Sequence, residues 1–131
     1  FFMQTFVHEG THAVQDQRAQ RYNREVPKLK RRLSKLQERG KGKSPRAGRV
    51  KKDIDVKFDY VSRWYRGVES NGRRIADMAF ECEATEKEIL AVKSVGGPPS
   101  VMRASGYLKL CSEAQRMLVQ WQNELPKGKR R

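Results

Sequence analysis

The chain has 131 residues, of which 37% are hydrophobic and 34% are charged, and 29 basic against 15 acidic residues give a net charge of +14. This length predicts a single domain, residues 1–131, with one modest core. No apolar stretch reaches the roughly 18 residues of a membrane-spanning helix, so we expect no membrane partner. Residues 1–7 lack the basic leader of a signal peptide.

The first predicted element is a helix over residues 2–22 or 2–24, and it carries the motif His8-Glu9-x-x-His12. On a helix, residues four positions apart lie about 40° apart around the axis, so both imidazoles face one side. Two imidazoles in this arrangement can bind one Zn²⁺ ion at about 2.0–2.1 Å each. Glu9 lies about 100° further round, where a general base for zinc-bound water is needed.

Two less specific interpretations of this motif remain open. The helix can be an ordinary amphipathic helix with two surface histidines, or its zinc site can have lost activity and only stabilise the fold. Asp16, one turn after His12, can accept a hydrogen bond from a ligand histidine, or it can be an exposed acid near arginines. Pro27 ends this helix or begins the next, because proline disfavours helical geometry at Val26.

A strongly basic segment follows, with twelve Lys or Arg residues and one acid, Glu38, in residues 28–52. Leucines at helical spacing predict a second helix over residues 28–39, and the nearly apolar-free residues 40–49 predict a loop. We therefore expect a flexible basic insertion at about 40–52. It would bind nucleic acid or another polyanion, or it is a solvated charge run. The candidate polyanion-binding residues are Lys30, Arg31, Arg32, Lys41, Lys43, Arg46, Arg49, Lys51 and Lys52.

Residues 53–60 alternate strictly between polar and apolar side chains, with Ile54, Val56, Phe58 and Tyr60 on one side. This period of two predicts a half-buried strand. Such a strand can hold an extended substrate by main-chain pairing. The competing interpretation is a helix start, because apolar residues continue at helical spacing as far as residue 68. Residues 71 and 72, Asn-Gly, predict a turn.

The next predicted helix covers residues 73–95 and is acidic in an otherwise basic chain. Glu81, Thr85 and Glu88 lie along one stripe of this helix, with Glu83 and Glu86 beside it. One carboxylate can face zinc while the others bind nearby Arg or Lys. Alternatively, the stripe is a solvated acidic face.

Two short windows resemble the zincin metallopeptidases of the gluzincin type. They read Val-His-Glu-Gly-Thr-His-Ala-Val-Gln over residues 7–15 and Phe-Glu-Cys-Glu-Ala-Thr over residues 80–85. The first is most similar to the active-site helix of small bacterial and phage members. The resemblance implies that Glu81 is the third metal ligand and that Ala84 packs against the helix that carries His8 and His12.

The resemblance leaves two features of the site open. Glu88 is the second choice for the third ligand, because it shares the stripe of Glu81, and Glu83 is the third choice. Related families often carry Asp at the position of Thr85, so the carboxylate partner of a zinc-bound histidine is unassigned here.

The implied fold is mainly α, a minimal zincin-like helical core with or without one or two edge strands. It becomes α+β if an N-terminal sheet is missing from this chain. The implied activity is a Zn²⁺-dependent metallopeptidase in which His8, His12 and Glu81 leave the fourth zinc position to water. Glu9 would take the proton of that water and pass it to the leaving amine of a peptide or protein substrate.

A second class of function competes with the peptidase. The zincin scaffold can be catalytically silent in a structural or nucleic-acid-associated protein, such as a virion component within a larger assembly. Either function places the protein in the cytoplasm or in a virion. Cys82 and Cys111 lie in apolar helical frames, so we expect two buried thiols in a reducing compartment, with a disulfide as the alternative.

The last predicted helix covers residues 107–125. Its continuous apolar stripe would close the core against the helix that carries the two histidines and the helix that carries Glu81. Residues 126–131 predict a disordered basic tail. A peptidase also needs a donor that stabilises the oxyanion of the transition state. The candidates are Tyr107, Tyr60, Tyr65 and Arg103, and the sequence does not choose among them.

Overall fold

The computed structural model describes residues 2–69, 77–104 and 108–126. Its main elements are four α-helices: α1 (Phe2–Glu38), α2 (Pro45–Glu69), α3 (Met78–Ser94) and α4 (Ser112–Glu124). Two 3₁₀ helices, Pro99–Ala104 and Leu108–Leu110, lie between α3 and α4 in the chain. The predicted mainly α fold is confirmed, and the described residues contain no strand. Within these ranges, no helix has both the length and the apolar character needed to cross a membrane.

The chain divides into two compact units. The first contains the described residues of 1–14 and 76–131, and the second contains those of 15–75. Helix α1 supplies its beginning to the first unit and its remainder to the second. Each unit has a hydrophobic cluster of its own, so the predicted domain 1–131 consists of two separately packed parts.

In the first unit, α3 packs against α4 and against both 3₁₀ helices. The carboxylate of Asp77 caps α3 by accepting a hydrogen bond from the backbone N–H of Ala79 at 2.9 Å, which satisfies one free N–H at the helix start. Gly96, with a φ of +74°, follows the end of the helix, as is usual for glycine after a helix. The buried cluster consists of Ile89, Val92, Met102, Leu108, Cys111, Ala114, Leu118 and Trp121.

In the second unit, the remainder of α1 and the whole of α2 form an antiparallel helix pair. Trp64 donates a hydrogen bond to Asp16 at 2.9 Å, and Lys57 lies 2.8 Å from Glu25. Higher residue numbers in α1 therefore pair with lower residue numbers in α2, as in an antiparallel pair. Gly40, with a φ of +71°, follows the end of α1. The cluster between the helices consists of Val26, Leu29, Leu36, Ala47, Val50 and Ile54.

The strand predicted over residues 53–60 is wrong, because these residues lie within α2. Val56 and Phe58 are 59% and 57% exposed, whereas Ile54 is buried. The positions that face α1 are Ala47, Val50 and Ile54, whose spacing of three and four residues is helical. This helical face determines the structure, and the described residues contain no strand with which the alternating residues after Ile54 could pair.

The flexible insertion predicted at 40–52 is also wrong over most of its length, since α2 already begins at Pro45. Proline suits the first position of a helix, where its missing N–H costs nothing. The hydroxyl of Ser44 accepts a hydrogen bond from the backbone N–H of Ala47 at 3.2 Å and caps the helix. The basic side chains occupy exposed positions while Ala47 and Val50 are buried, so the charge does not prevent helix formation.

Pro27 does not separate two helices, because α1 runs through it to Glu38. Proline inside a helix costs about 3 kcal/mol relative to alanine. Val26 and Leu29 on either side of it are buried in the cluster against α2, and this packing offsets the cost. The turn predicted at residues 71–72 and the basic tail beyond residue 126 lie outside the described residues.

Candidate metal centre

His8 and His12 lie about one turn apart near the start of α1, and this spacing brings their rings together, as the motif predicts. Their ring centroids lie 4.7 Å apart, edge to face, at an angle of 79°. His12 is 5% exposed and therefore belongs to the interior, while the His8 side chain is 18% exposed. The two ring Nε2 atoms face each other at 3.1 Å. This orientation differs from that of two independent surface histidines.

Helix α3 brings the carboxylate of Glu81 against the same two nitrogen atoms. Glu81 Oε2 lies 2.9 Å from His8 Nε2, and Oε1 lies 3.2 Å from His12 Nε2. Glu81 is buried at 6% exposure. Among the described residues, His8, His12 and Glu81 form a group whose potential ligand atoms all lie within 4.8 Å of one another.

These separations fit the coordination sphere of a zinc ion. Tetrahedral zinc with ligands at about 2.0–2.1 Å places neighbouring ligand atoms about 3.3 Å apart. The two Nε2 atoms lie 3.1 Å apart, and each lies 2.9 or 3.2 Å from a different oxygen of the Glu81 carboxylate, so all three separations are close to that value. Two imidazoles and one carboxylate are also a common ligand set for zinc that keeps its fourth position open. The residues present therefore fit a Zn²⁺ ion.

Glu88, the second choice for the third ligand, has a different place in the centre. One of its carboxylate oxygens makes a very short contact with Nδ1 of His8, on the side of the ring opposite Nε2. A proton on Nδ1, donated to Glu88, leaves the Nε2 lone pair directed at the other ligands. The same hydrogen bond raises the pKa of His8 above its usual value, against the opposing effect of burial.

Thr85, where related families often carry Asp, does not take this role. It is fully buried, and its hydroxyl donates a hydrogen bond to the backbone carbonyl of Glu81 at 3.0 Å. The carboxylate that the sequence left unassigned is instead supplied by Glu88, three residues further along α3. The shared stripe of Glu81 and Glu88 was a usable signal for this, but it did not indicate which ring nitrogen each acid would meet.

Glu9 projects from the helix that carries both histidines, and its side chain is exposed. It makes no hydrogen bond or ion pair within the described part of the chain. Gly10 beside it is also exposed, and a Cβ atom added there would meet nothing within 4 Å. Glu9 is therefore accessible to a water molecule or a substrate from outside the protein.

The cysteines are paired, contrary to the expectation of two buried thiols. Cys82 and Cys111 form a disulfide, and the chain has no free cysteine. The bond joins α3, at the residue after Glu81, to the residue that precedes α4. Because disulfides persist mainly in oxidising surroundings, the predicted reducing compartment loses its support.

The remaining predicted site residues are the candidate oxyanion donors and the candidate polyanion-binding residues. Tyr107 is outside the described residues, and so is the side chain of Arg103. Tyr60 and Tyr65 belong to the second unit, where Tyr60 packs edge to face on Tyr22 with ring centroids 5.3 Å apart. The predicted polyanion-binding residues also belong to the second unit.

The two remaining acids of interest are not ligands in this arrangement. Asp16 accepts hydrogen bonds from Trp64 and, at 2.8 Å, from the side-chain amide of Gln20. Glu83, the third choice for a ligand, is half-buried and is not part of the group formed by the two histidines and Glu81.

Comparison of the chain with protein-family models, with curated proteins and with solved structures finds no match. The resemblance to the zincins therefore rests on the two windows of sequence alone.

Proposed function

We propose that the protein is a zinc-dependent metallopeptidase. The observation that supports this most directly is the convergence of His8 Nε2, His12 Nε2 and the Glu81 carboxylate at separations of 2.9 to 3.2 Å. Bound zinc would lower the pKa of a water molecule and polarise the scissile carbonyl of a peptide. The substrate is a peptide or protein, and of the two expected locations we propose a virion over the reducing cytoplasm, because the chain carries a disulfide.

The protein side chains divide the remaining work. His8, His12 and Glu81 would hold the ion. Glu88 would accept the Nδ1 proton of His8 and keep that ring in orientation. The exposed carboxylate of Glu9 would take a proton from the attacking water and then give it to the leaving amine nitrogen.

A metal-free interpretation of the same contacts makes different predictions. A protonated His8 can bind both Glu81 and Glu88 as an ion pair, and His12 Nε2 can donate a hydrogen bond to the second carboxylate oxygen of Glu81. Such a network stabilises the fold and catalyses nothing, which is the catalytically silent alternative in its simplest form. It requires no role for Glu9, since that side chain makes no contact that the network would use.

The experiment compares the purified wild type with Glu9→Gln and His12→Ala, using a mixture of unlabelled peptides and mass spectrometry to detect cleavage. We expect Glu9→Gln to retain zinc and lose activity by roughly 10²–10⁴-fold, the usual contribution of a general base. His12→Ala should lose both the zinc and the activity.

Glu83→Gln is the matched control, because it makes the same chemical change on α3 outside the ligand group. It should keep zinc and activity. A wild type that binds zinc but cleaves no peptide, or a Glu9→Gln variant that remains fully active, would overturn the proposed peptidase.

A further inference from the structure

An open pocket of about 280 Å³ lies in the second unit, between the second half of α1 and the first half of α2. This volume corresponds to about nine water molecules at roughly 30 Å³ each, which is ample for a phosphate group. Its lining residues are Leu29, Arg32, Arg46, Arg49, Val50 and Asp53. The two apolar residues are buried in the cluster between the helices, so the rest of the lining is polar and charged.

The three arginines of the pocket have no hydrogen-bond or ion-pair partner among the described residues. Arg32, Arg46 and Arg49 are exposed, and none makes a hydrogen bond or an ion pair within the described part of the chain. Asp53 does not neutralise them, because its carboxylate accepts a hydrogen bond from Lys57 at 3.2 Å. By contrast, Arg116 in the first unit binds Glu113 at 2.5 Å.

The helix pair explains why these side chains converge. Arg46 and Arg49 are three residues apart and therefore share a face of α2. Arg32 approaches from α1, because the antiparallel packing places its neighbour Leu29 against the same cluster as Val50. Guanidinium groups favour phosphate because their planar set of N–H donors matches two phosphate oxygens at once. The three positive charges exceed the single negative charge of Asp53 in the lining, so the pocket is suited to a phosphate.

We propose that this pocket binds a backbone phosphate of a nucleic acid. The charge around it favours a polymer over a single small anion. Arg31, Lys43 and Lys52 lie outside the pocket, are exposed, and have no partner within the described residues. Residues 28–38 of α1 alone extend about 16 Å, a length over which duplex DNA presents on the order of nine phosphate charges. This binding function is separate from the proposed peptidase.

The test measures the binding of a fluorescently labelled DNA duplex to the full chain by anisotropy. The pocket variant carries Arg32→Gln, Arg46→Gln and Arg49→Gln. The control variant carries Arg31→Gln, Lys43→Gln and Lys52→Gln, which removes the same charge from the same two helices and the turn between them. All six side chains are exposed, and circular dichroism verifies that both variants remain helical.

We expect the wild type to bind at about 50 mM salt and to weaken steeply towards about 200 mM. The pocket variant should bind roughly tenfold more weakly than the control variant, because it loses charge-assisted hydrogen bonds as well as charge. Its slope of log affinity against log salt should fall further than that of the control, by about one phosphate contact. Inorganic phosphate should displace DNA from the wild type better than chloride at equal ionic strength.

An equal loss of DNA affinity in the two variants would overturn the proposed phosphate site, since charge alone would then explain the binding. Absence of DNA binding at low salt would overturn it as well. Binding to vesicles that contain phosphatidylserine without binding to DNA would identify the partner as a membrane surface and contradict the proposal. If the triple pocket variant loses helicity, Arg49→Gln against Lys52→Gln repeats the comparison with one charge each.

Discussion

The hydrogen bond between His8 Nδ1 and Glu88 determines which ring nitrogen of His8 is available to bind a ligand. With Nδ1 engaged, Nε2 is left facing His12 and Glu81. In the proposed centre a metal ion would compete with a proton for Nε2, so the carboxylate of Glu88 would act on metal affinity in two ways. It would orient the ring, and it would increase the basicity of the ligand nitrogen.

We therefore predict that Glu88→Ala weakens zinc binding by about 10–100-fold, the usual cost of removing such a carboxylate. Competition with a chromophoric chelator measures the dissociation constant. Glu83→Ala removes an acid from the same helix outside the ligand group and should leave the constant unchanged. Equal constants for the two variants would mean that Glu88 does not orient the ligand.

For single residues, the local spacing of the sequence predicts some contacts of the candidate centre and not others. The i, i+4 spacing of His8 and His12 is local, so helix geometry alone brings their rings together. Glu81 and Glu88 lie on one stripe of α3, and the stripe identifies both as candidates. Their different roles depend on the rotation of α3 against α1, which no local pattern encodes.

At the scale of elements, α2 shows how a short local pattern can mislead. Residues 53–60 alternate as a strand does, yet only Ile54 among the alternating apolar residues up to position 58 is buried. The longer pattern that begins at Ala47 has helical spacing, and it decides the structure because it matches the apolar face of α1. The apolar face is hard to recognise in the sequence of residues 45–52, because most residues beside Ala47 and Val50 are Lys or Arg.

This difference gives a direct stability test. Ile54→Ala should lower the free energy of unfolding by about 2 kcal/mol or more, because the side chain leaves a void against α1. Val56→Ala should change it by less than about 0.5 kcal/mol, since Val56 is 59% exposed. Urea denaturation followed by circular dichroism measures both. Equal losses would favour the strand, in which the two side chains share one buried face.

The disulfide connects two elements of the first unit across 29 residues of sequence. In the chain-entropy description, closing a loop of that length stabilises the folded state by about 3–4 kcal/mol. We expect Cys82→Ser with Cys111→Ser to lower the melting temperature markedly while the helical circular dichroism at low temperature is retained. Thiol titration of the denatured wild type should find no free thiol, and two free thiols per chain would contradict the pairing.

At the scale of the whole molecule, the sequence patterns predicted the helical class but not the division of the chain into two packed parts. The mainly α fold follows from apolar residues at helical spacing, which are local. The separate clusters depend on long-range pairing, as between Leu29 and Val50 or Cys82 and Cys111. The net charge of +14 indicated a polyanion partner, and only the helix pair places Arg32, Arg46 and Arg49 around one pocket.

The zinc content of the purified protein, together with anomalous diffraction at the zinc edge, tests the metal centre most directly. We predict one zinc ion per chain, with an anomalous peak between His8 Nε2, His12 Nε2 and the carboxylate of Glu81. The His12→Ala variant should bind no stoichiometric zinc. A wild type that remains free of metal after incubation with zinc, or an anomalous peak located away from these three side chains, would contradict the proposed centre.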